Sequence, residues 1–142
     1  MFDQAFFATW SPRILSVLRI MTGLLFLEHG TAKFFGFPAV EFLAGTPLFS
    51  LSGIGGVLEI VGGLLLVLGL FTRPAAFILS GEMAVAYFLA HAPSSFFPIL
   101  NQGEAAILFC FVFLYLAFAG GGPWSLDAMM RRQRGPEGIP LR

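Results

Sequence analysis

The sequence predicts an all-α protein, a bundle of four membrane-crossing helices with both termini cytoplasmic, and three observations predict it. Of the 142 residues, 57% are hydrophobic and 11% charged, with a mean hydropathy of +0.85. A water-soluble domain this small has to cover itself with polar side chains. The 18 phenylalanines suit a surface wetted by lipid instead. Finally, Gly, Pro and charged residues divide the chain into four apolar segments. Coiled as helices these are roughly 25 to 33 Å long, against hydrocarbon about 30 Å thick.

The first segment covers about residues 14–35 and follows Ser11-Pro12, a capping residue and a proline suited to a first turn. Residues 1–12 lack the basic stretch and small-residue cleavage site of a secretory signal, so the first segment is expected to stay as an anchor. The second covers about residues 51–71 and the third 74–92; Thr72-Arg73-Pro74 between them is short enough to dictate an antiparallel hairpin. The fourth covers about residues 103–119 and stops at Gly120-Gly121-Gly122-Pro123. The expected organisation is therefore an N-terminal cytoplasmic segment (1–12), a transmembrane domain (13–119) and a basic cytoplasmic tail (120–142).

Orientation follows from the loop charges. Arg13, Arg73 and the cluster Arg131, Arg132, Arg134 and Arg142 mark one side, whereas residues 36–50 carry Glu41 without Lys or Arg and residues 93–102 carry no charge. Lys33 is the one dissenting cation. Trp10 and Trp124 read as interfacial anchors on the basic side, and the phenylalanine-rich connections as a lid on the other. The formal net charge is zero, and the arginine cluster is too short and terminal for nucleic acid; it suits an inner-leaflet anchor. Cys110, the one cysteine, excludes an internal disulfide and reads as a small buried hydrophobe.

The informative residues are those that do not belong in lipid: Arg19, Glu28, His29, Lys33, Glu59, Glu82, His91 and Glu104. A charge at mid-bilayer costs about 3 kcal/mol, so such groups turn inward and pair, or stay protonated. Counting 1.5 Å per residue from the outer helix ends puts Glu28, Glu59 and Glu82 roughly 10, 12 and 15 Å down, one layer beneath His91 and Glu104. A polar pocket opening outward is expected. On the first helix Arg19, Thr22, Gly23, His29, Gly30 and Lys33 fall within about 120° of one another, with Glu28 about 100° from His29. On the second, Gly56, Glu59 and Gly63 share a face that admits another helix beside a carboxylate. Two readings stand side by side: Arg19 neutralises a buried glutamate and the polar groups only fix helix register, or they form a site for a redox or proton-carrying small molecule. Four-helix di-iron sites use Glu-x-x-His, whereas Glu28 and His29 are adjacent, so no metal site is expected. No hydrolase triad, phosphate loop or nucleotide fingerprint is present either.

Arg19 with His29-Gly30-Thr31-Ala32-Lys33, Gly55-Gly56-Val57-Leu58-Glu59-Ile60-Val61-Gly62-Gly63, Gly69-Leu70-Phe71-Thr72-Arg73, His91-Ala92-Pro93 and Asn101-Gln102-Gly103-Glu104 occur in an order and spacing that resembles the DoxX family of bacterial four-helix membrane proteins, over about residues 13–127. The resemblance implies a bacterial cytoplasmic (inner) membrane location. It also implies association with quinone-linked oxidoreductases, including subunits of thiosulfate:quinone oxidoreductase, or with oxidative-stress responses. It makes Arg19, His29, Lys33, Glu59, Glu82, His91, Asn101 and Glu104 the candidates for a quinone or proton-coupled site. A quinone needs an apolar slot with a donor at each carbonyl and a proton route; His29 or Lys33 would donate and Glu59 or Glu82 relay. The expected function is a membrane subunit or accessory protein of such an oxidoreductase, with a lipid bilayer and a protein partner or second copy around it. The alternatives are a non-catalytic scaffold recruiting a soluble enzyme through its basic tail, and, ranked last, a small-solute carrier.

Overall fold

Helices supply all the regular structure across residues 3–133, the part of the chain that the computed structural model describes. The first, α1 (Gln4–Phe35), begins ten residues before the expected start. Asp3 provides the cap, its Oδ1 accepting the Phe6 N–H at 2.8 Å. Pro12 is carried inside the helix, where it forgoes one main-chain bond. Gly36, in the left-handed region at φ 62°, ends α1.

The second helix, α2 (Leu51–Leu68), is capped by Ser50, which accepts from the Gly53 N–H at 3.0 Å, and Gly69 (φ 67°) stops it short of residue 71. After a connection of residues 69–71 comes α3 (Thr72–Ala86), which passes into a π-helical turn, Tyr87–His91. A single turn, α4 (Pro98–Asn101), leads into α5 (Glu104–Ala119), and α6 (Leu126–Gln133) follows the glycine-rich loop. Arg131 and Arg132 lie on α6; Arg134 and Arg142 fall outside the described residues. By length and composition, Gln4–Phe35, Leu51–Leu68 and Thr72–His91 are long and apolar enough to cross a membrane. The α5 helix is apolar but has 16 residues, about 24 Å of rise against about 30 Å of hydrocarbon.

Glycines set how the helices pack. A Cβ on Gly30 would stand 2.8 Å from the Gly56 carbonyl oxygen, and one on Gly23 would stand 3.1 Å from that of Gly63. The α1 and α2 backbones therefore touch along the face that Gly56, Glu59 and Gly63 share, as the spacing predicts. Phe26, Leu66, Leu79, Met83, Phe113 and Leu116 fill the core between α1, α2, α3 and α5. Ser80 Oγ donates to the Cys110 carbonyl at 2.8 Å, tying α3 to α5 beside the half-buried thiol. Ile14, Leu24, Val61, Phe77, Phe111 and Phe118 point outward, apolar surface of the kind lipid covers.

The end of α2, the start of α3, the end of α5 and α6 meet in one place. Arg19, 0% exposed, is its centre. Its Nε donates to the Gly121 carbonyl at 2.8 Å, Nη1 to those of Leu66 and, at 2.8 Å, Val67, and Nη2 to that of Trp124 at 2.5 Å. The expectation that Arg19 neutralises a buried glutamate gives way to this arrangement: its partners are two carbonyls in the last turn of α2, where helices leave such groups to be satisfied from outside, and two in the loop between α5 and α6. Asp127 does the converse job, accepting the Phe71 and Thr72 N–H groups at 2.9 Å each and so capping α3 from α6. Arg73 Nη1 completes the set, donating to Ala117 O at 3.2 Å and Phe118 O at 2.5 Å.

Candidate functional site

At the other end, three helices each bring one ionisable side chain inward. Lys33 in the last turn of α1 places its Nζ 2.8 Å from Glu59 Oε1 on α2, with the two side chains 10% and 6% exposed. Gly56 makes room, since a Cβ there would stand 3.1 Å from Lys33 Cδ. Gly55 does the same for the third member: a Cβ there would lie 3.1 Å from Glu82 Oε1 on α3 and 3.9 Å from Lys33 Nζ. The glycines at 55 and 56 thus have a second use beyond helix packing; they let a lysine and a carboxylate from opposite neighbours converge on one turn of α2.

The cluster is incompletely satisfied. Glu59 Oε2 and Glu82 Oε2 are both buried without a hydrogen-bond partner among the described residues. A buried acceptor without a donor costs about 1–3 kcal/mol, more when charged. One ammonium also faces two carboxylates, so with all three groups ionised the cluster would hold one uncompensated negative charge in a medium that disfavours it. A proton, or a ligand bringing hydrogen-bond donors, supplies what is missing.

The remaining candidates sit elsewhere. His91 Nδ1 lies 3.0 Å from the Asn101 carbonyl oxygen, and its ring stacks on Tyr87 with centroids 6.4 Å apart. Asn101, 5% exposed, donates through Nδ2 to Ser95 O at 2.8 Å and Tyr87 Oη at 3.3 Å, and accepts the Gly103 N–H at 2.8 Å. These residues fasten the π-helical turn to the start of α5. Glu104 is exposed in the first turn of α5. His29 is exposed on the flank of α1, its Nδ1 2.9 Å from Leu25 O and its ring edge-on to Phe109; Glu28 beside it also faces outward. Arg19 is 14 positions from Lys33 along α1, about 21 Å at 1.5 Å per residue. Of the eight candidates, then, Lys33, Glu59 and Glu82 come together in one cluster and His91 and Asn101 in a separate contact.

Sequence reasoning passed over Tyr87 and Asp127. Tyr87 stands four residues before His91, a spacing that places both on one helix face. Asp127 opens α6 as the acidic residue of its first turn, a pattern that signals a helix start but not that its carboxylate caps a different helix. Two surface grooves, of about 400 and 370 Å³, lie at the α6 end, the first lined by Trp10, Leu15 and Tyr115 among others and the second by Thr72, Arg73 and Arg131. Neither reaches Lys33, Glu59 or Glu82.

Long apolar helices with hydrophobic outer surfaces, packed through glycines around buried charged side chains, define an integral membrane protein. The chain belongs to the DoxX family, which it matches over residues 14–92, a stretch that contains Lys33, Glu59, Glu82 and His91 and ends before Asn101. It is 48% identical over 125 residues to an uncharacterized protein of Haemophilus influenzae, covering 83% of this chain and 91% of that one. It is 31% identical over 130 residues to the inner membrane protein YphA of Escherichia coli (85% and 93% covered). It is 28% identical over 114 residues to a Bacillus subtilis protein named "Putative oxidoreductase CatD" (78% and 82% covered). No solved structure matches the chain.

Proposed function

We propose that the chain is a bacterial inner-membrane subunit or accessory protein of a quinone-linked oxidoreductase, and that it holds a quinone-like molecule against Lys33, Glu59 and Glu82. The observation that carries this reading is the pair of buried carboxylate oxygens, Glu59 Oε2 and Glu82 Oε2, with no donor beside the Lys33–Glu59 ion pair. A quinol offers hydroxyl donors to carboxylates, and its oxidised form offers carbonyls to an ammonium; the two forms differ by protons as well as electrons, and the carboxylates are the natural place for those protons. The name of the CatD relative supports the reaction class. Electrons would come from a partner protein.

The topology that goes with this reading is four crossings with both termini cytoplasmic, α5 being the shortest span. Arg73, Arg131 and Arg132 lie at the end where α3 begins and α5 finishes, as a basic cytoplasmic side requires. Lys33, Glu59 and Glu82 then face the outer half of the bilayer.

The test is binding of a short-chain quinone to the purified full chain in nanodiscs. Glu82→Gln keeps the Lys33–Glu59 pair and is expected to weaken binding roughly tenfold, the value of one charge-assisted hydrogen bond; Glu59→Gln is expected to weaken it further. Unchanged affinity in both variants sinks the reading, as does a wild-type protein that takes up no quinone.

A scaffold role has an observation of its own: a groove lined by Thr72, Arg73 and Arg131 lies at the α6 end, away from the Lys33 cluster. It predicts that deleting residues 129–142 abolishes recovery of a soluble partner while insertion persists, and that neutralising Glu82 changes stability alone.

A further inference from the structure

The groove of about 370 Å³ between the first turn of α3, the loop at residues 120–121 and α6 carries unbalanced positive charge. Asp127 is its one acid, and both carboxylate oxygens are already occupied by the Phe71 and Thr72 N–H groups. Arg73 uses only Nη1, on the last carbonyls of α5. Its Nη2 and Nε lie 3.4 and 3.5 Å from where a Gly120 Cβ would stand and have no acceptor among the described residues; Gly120, at φ 87°, is also a position that resists a side chain. Arg131 is exposed on the opposite wall, again with no acceptor among the described residues. Deeper in, Thr72 is 0% exposed and its Oγ1 has no hydrogen-bond partner among the described residues. The site lies at the Thr72 end of a candidate span, with the half-exposed indole of Trp124 on the adjoining loop. That is the level of lipid headgroups.

We propose that this groove is a binding site for the phosphate headgroup of one anionic phospholipid, held between the guanidinium groups of Arg73 and Arg131. A guanidinium presents paired N–H donors that match two phosphate oxygens, and basic pockets at helix ends favour anionic headgroups in this way. A zwitterionic lipid brings its own cation into a groove that already holds two. The neighbouring Arg132 is an internal control, since it carries the same charge on the same helix but does not line the groove.

Native mass spectrometry of the full chain, titrated with phosphatidylglycerol or phosphatidylcholine, tests the site. One phosphatidylglycerol retained per chain is expected, with phosphatidylcholine lost at the same concentration. Arg131→Gln should lower retention roughly tenfold, Arg132→Gln should leave it unchanged, and both should keep the wild-type melting temperature because both side chains are exposed. Equal losses in the two variants would show a diffuse basic surface and overturn the site, as would equal retention of the two lipids. Displacement of the lipid by an equimolar amount of inorganic phosphate would also overturn it, in favour of a free-phosphate site.

Discussion

The two ends of the molecule treat charge in opposite ways. At the α6 end, main-chain groups meet Arg19, Asp127 and one nitrogen of Arg73: carbonyls of the last turns of α2 and α5 and of the loop before α6 for the arginines, and N–H groups at the start of α3 for the aspartate. At the other end Lys33 and Glu59 answer each other, and Glu59 and Glu82 each keep one buried oxygen without a donor. Backbone partners cannot leave and take no proton. Side-chain partners can do both. The difference separates the buried Arg19, spent on holding helices together, from the buried Lys33 cluster, whose carboxylates keep oxygens open to a ligand.

The largest break in that comparison is expected from Arg19. Arg19→Met takes the guanidinium from four carbonyls, of which Leu66 keeps the Gly69 N–H, and should destabilise the protein by about 3–5 kcal/mol, as removal of one member of a buried charged network does. Arg19→Lys should recover only part of this, because one ammonium cannot span acceptors on both sides of the knot; reversible unfolding in mixed detergent measures both. Next comes Gly30→Val, whose side chain meets the Gly56 carbonyl oxygen 2.8 Å from its Cβ. Overpacking of this kind costs about 1–3 kcal/mol, and by forcing α1 from α2 it should also part Lys33 from Glu59 and impair quinone binding. Asp127→Ala removes a cap worth about 1 kcal/mol and should leave quinone binding alone. The smallest effect on stability and the sharpest on function belong to Glu82→Gln, expected to shift stability by less than about 1 kcal/mol because an amide brings its own donors to the site. A Glu82→Gln protein as unstable as Arg19→Met would erase the distinction between the two ends.

Much of this was legible in the sequence. Apolar length and composition indicate the helices, the glycine spacing on the second segment indicates the face that α1 covers, and counting residues from the helix ends puts Glu28, Glu59 and Glu82 in one layer, of which Glu59 and Glu82 approach Lys33 while Glu28 faces outward. Rotation about a helix axis is less informative: it groups Arg19, His29 and Lys33 on one stripe, yet Arg19 lies about 21 Å from Lys33 along α1 and His29 turns to the flank against Phe109. What distinguishes Arg19 is its partners, Gly121 and Trp124, 102 and 105 residues further along the chain; no periodicity records such a pairing. The start of α1 escapes for a local reason. Ser11-Pro12 and Asp3 both signal a helix N-terminus, and a proline in an early turn interrupts one hydrogen bond without ending the helix.

Those same 102 and 105 residues separate Arg19 from its last acceptors in time as well as in space. During synthesis Gly121 and Trp124 are made after the whole of α1, α2, α3 and α5, so the guanidinium cannot be fully engaged until those residues exist. Closure of the Arg19 knot is thus a late step in biogenesis, and a chain cut short before Gly121 carries an exposed mark of its own incompleteness.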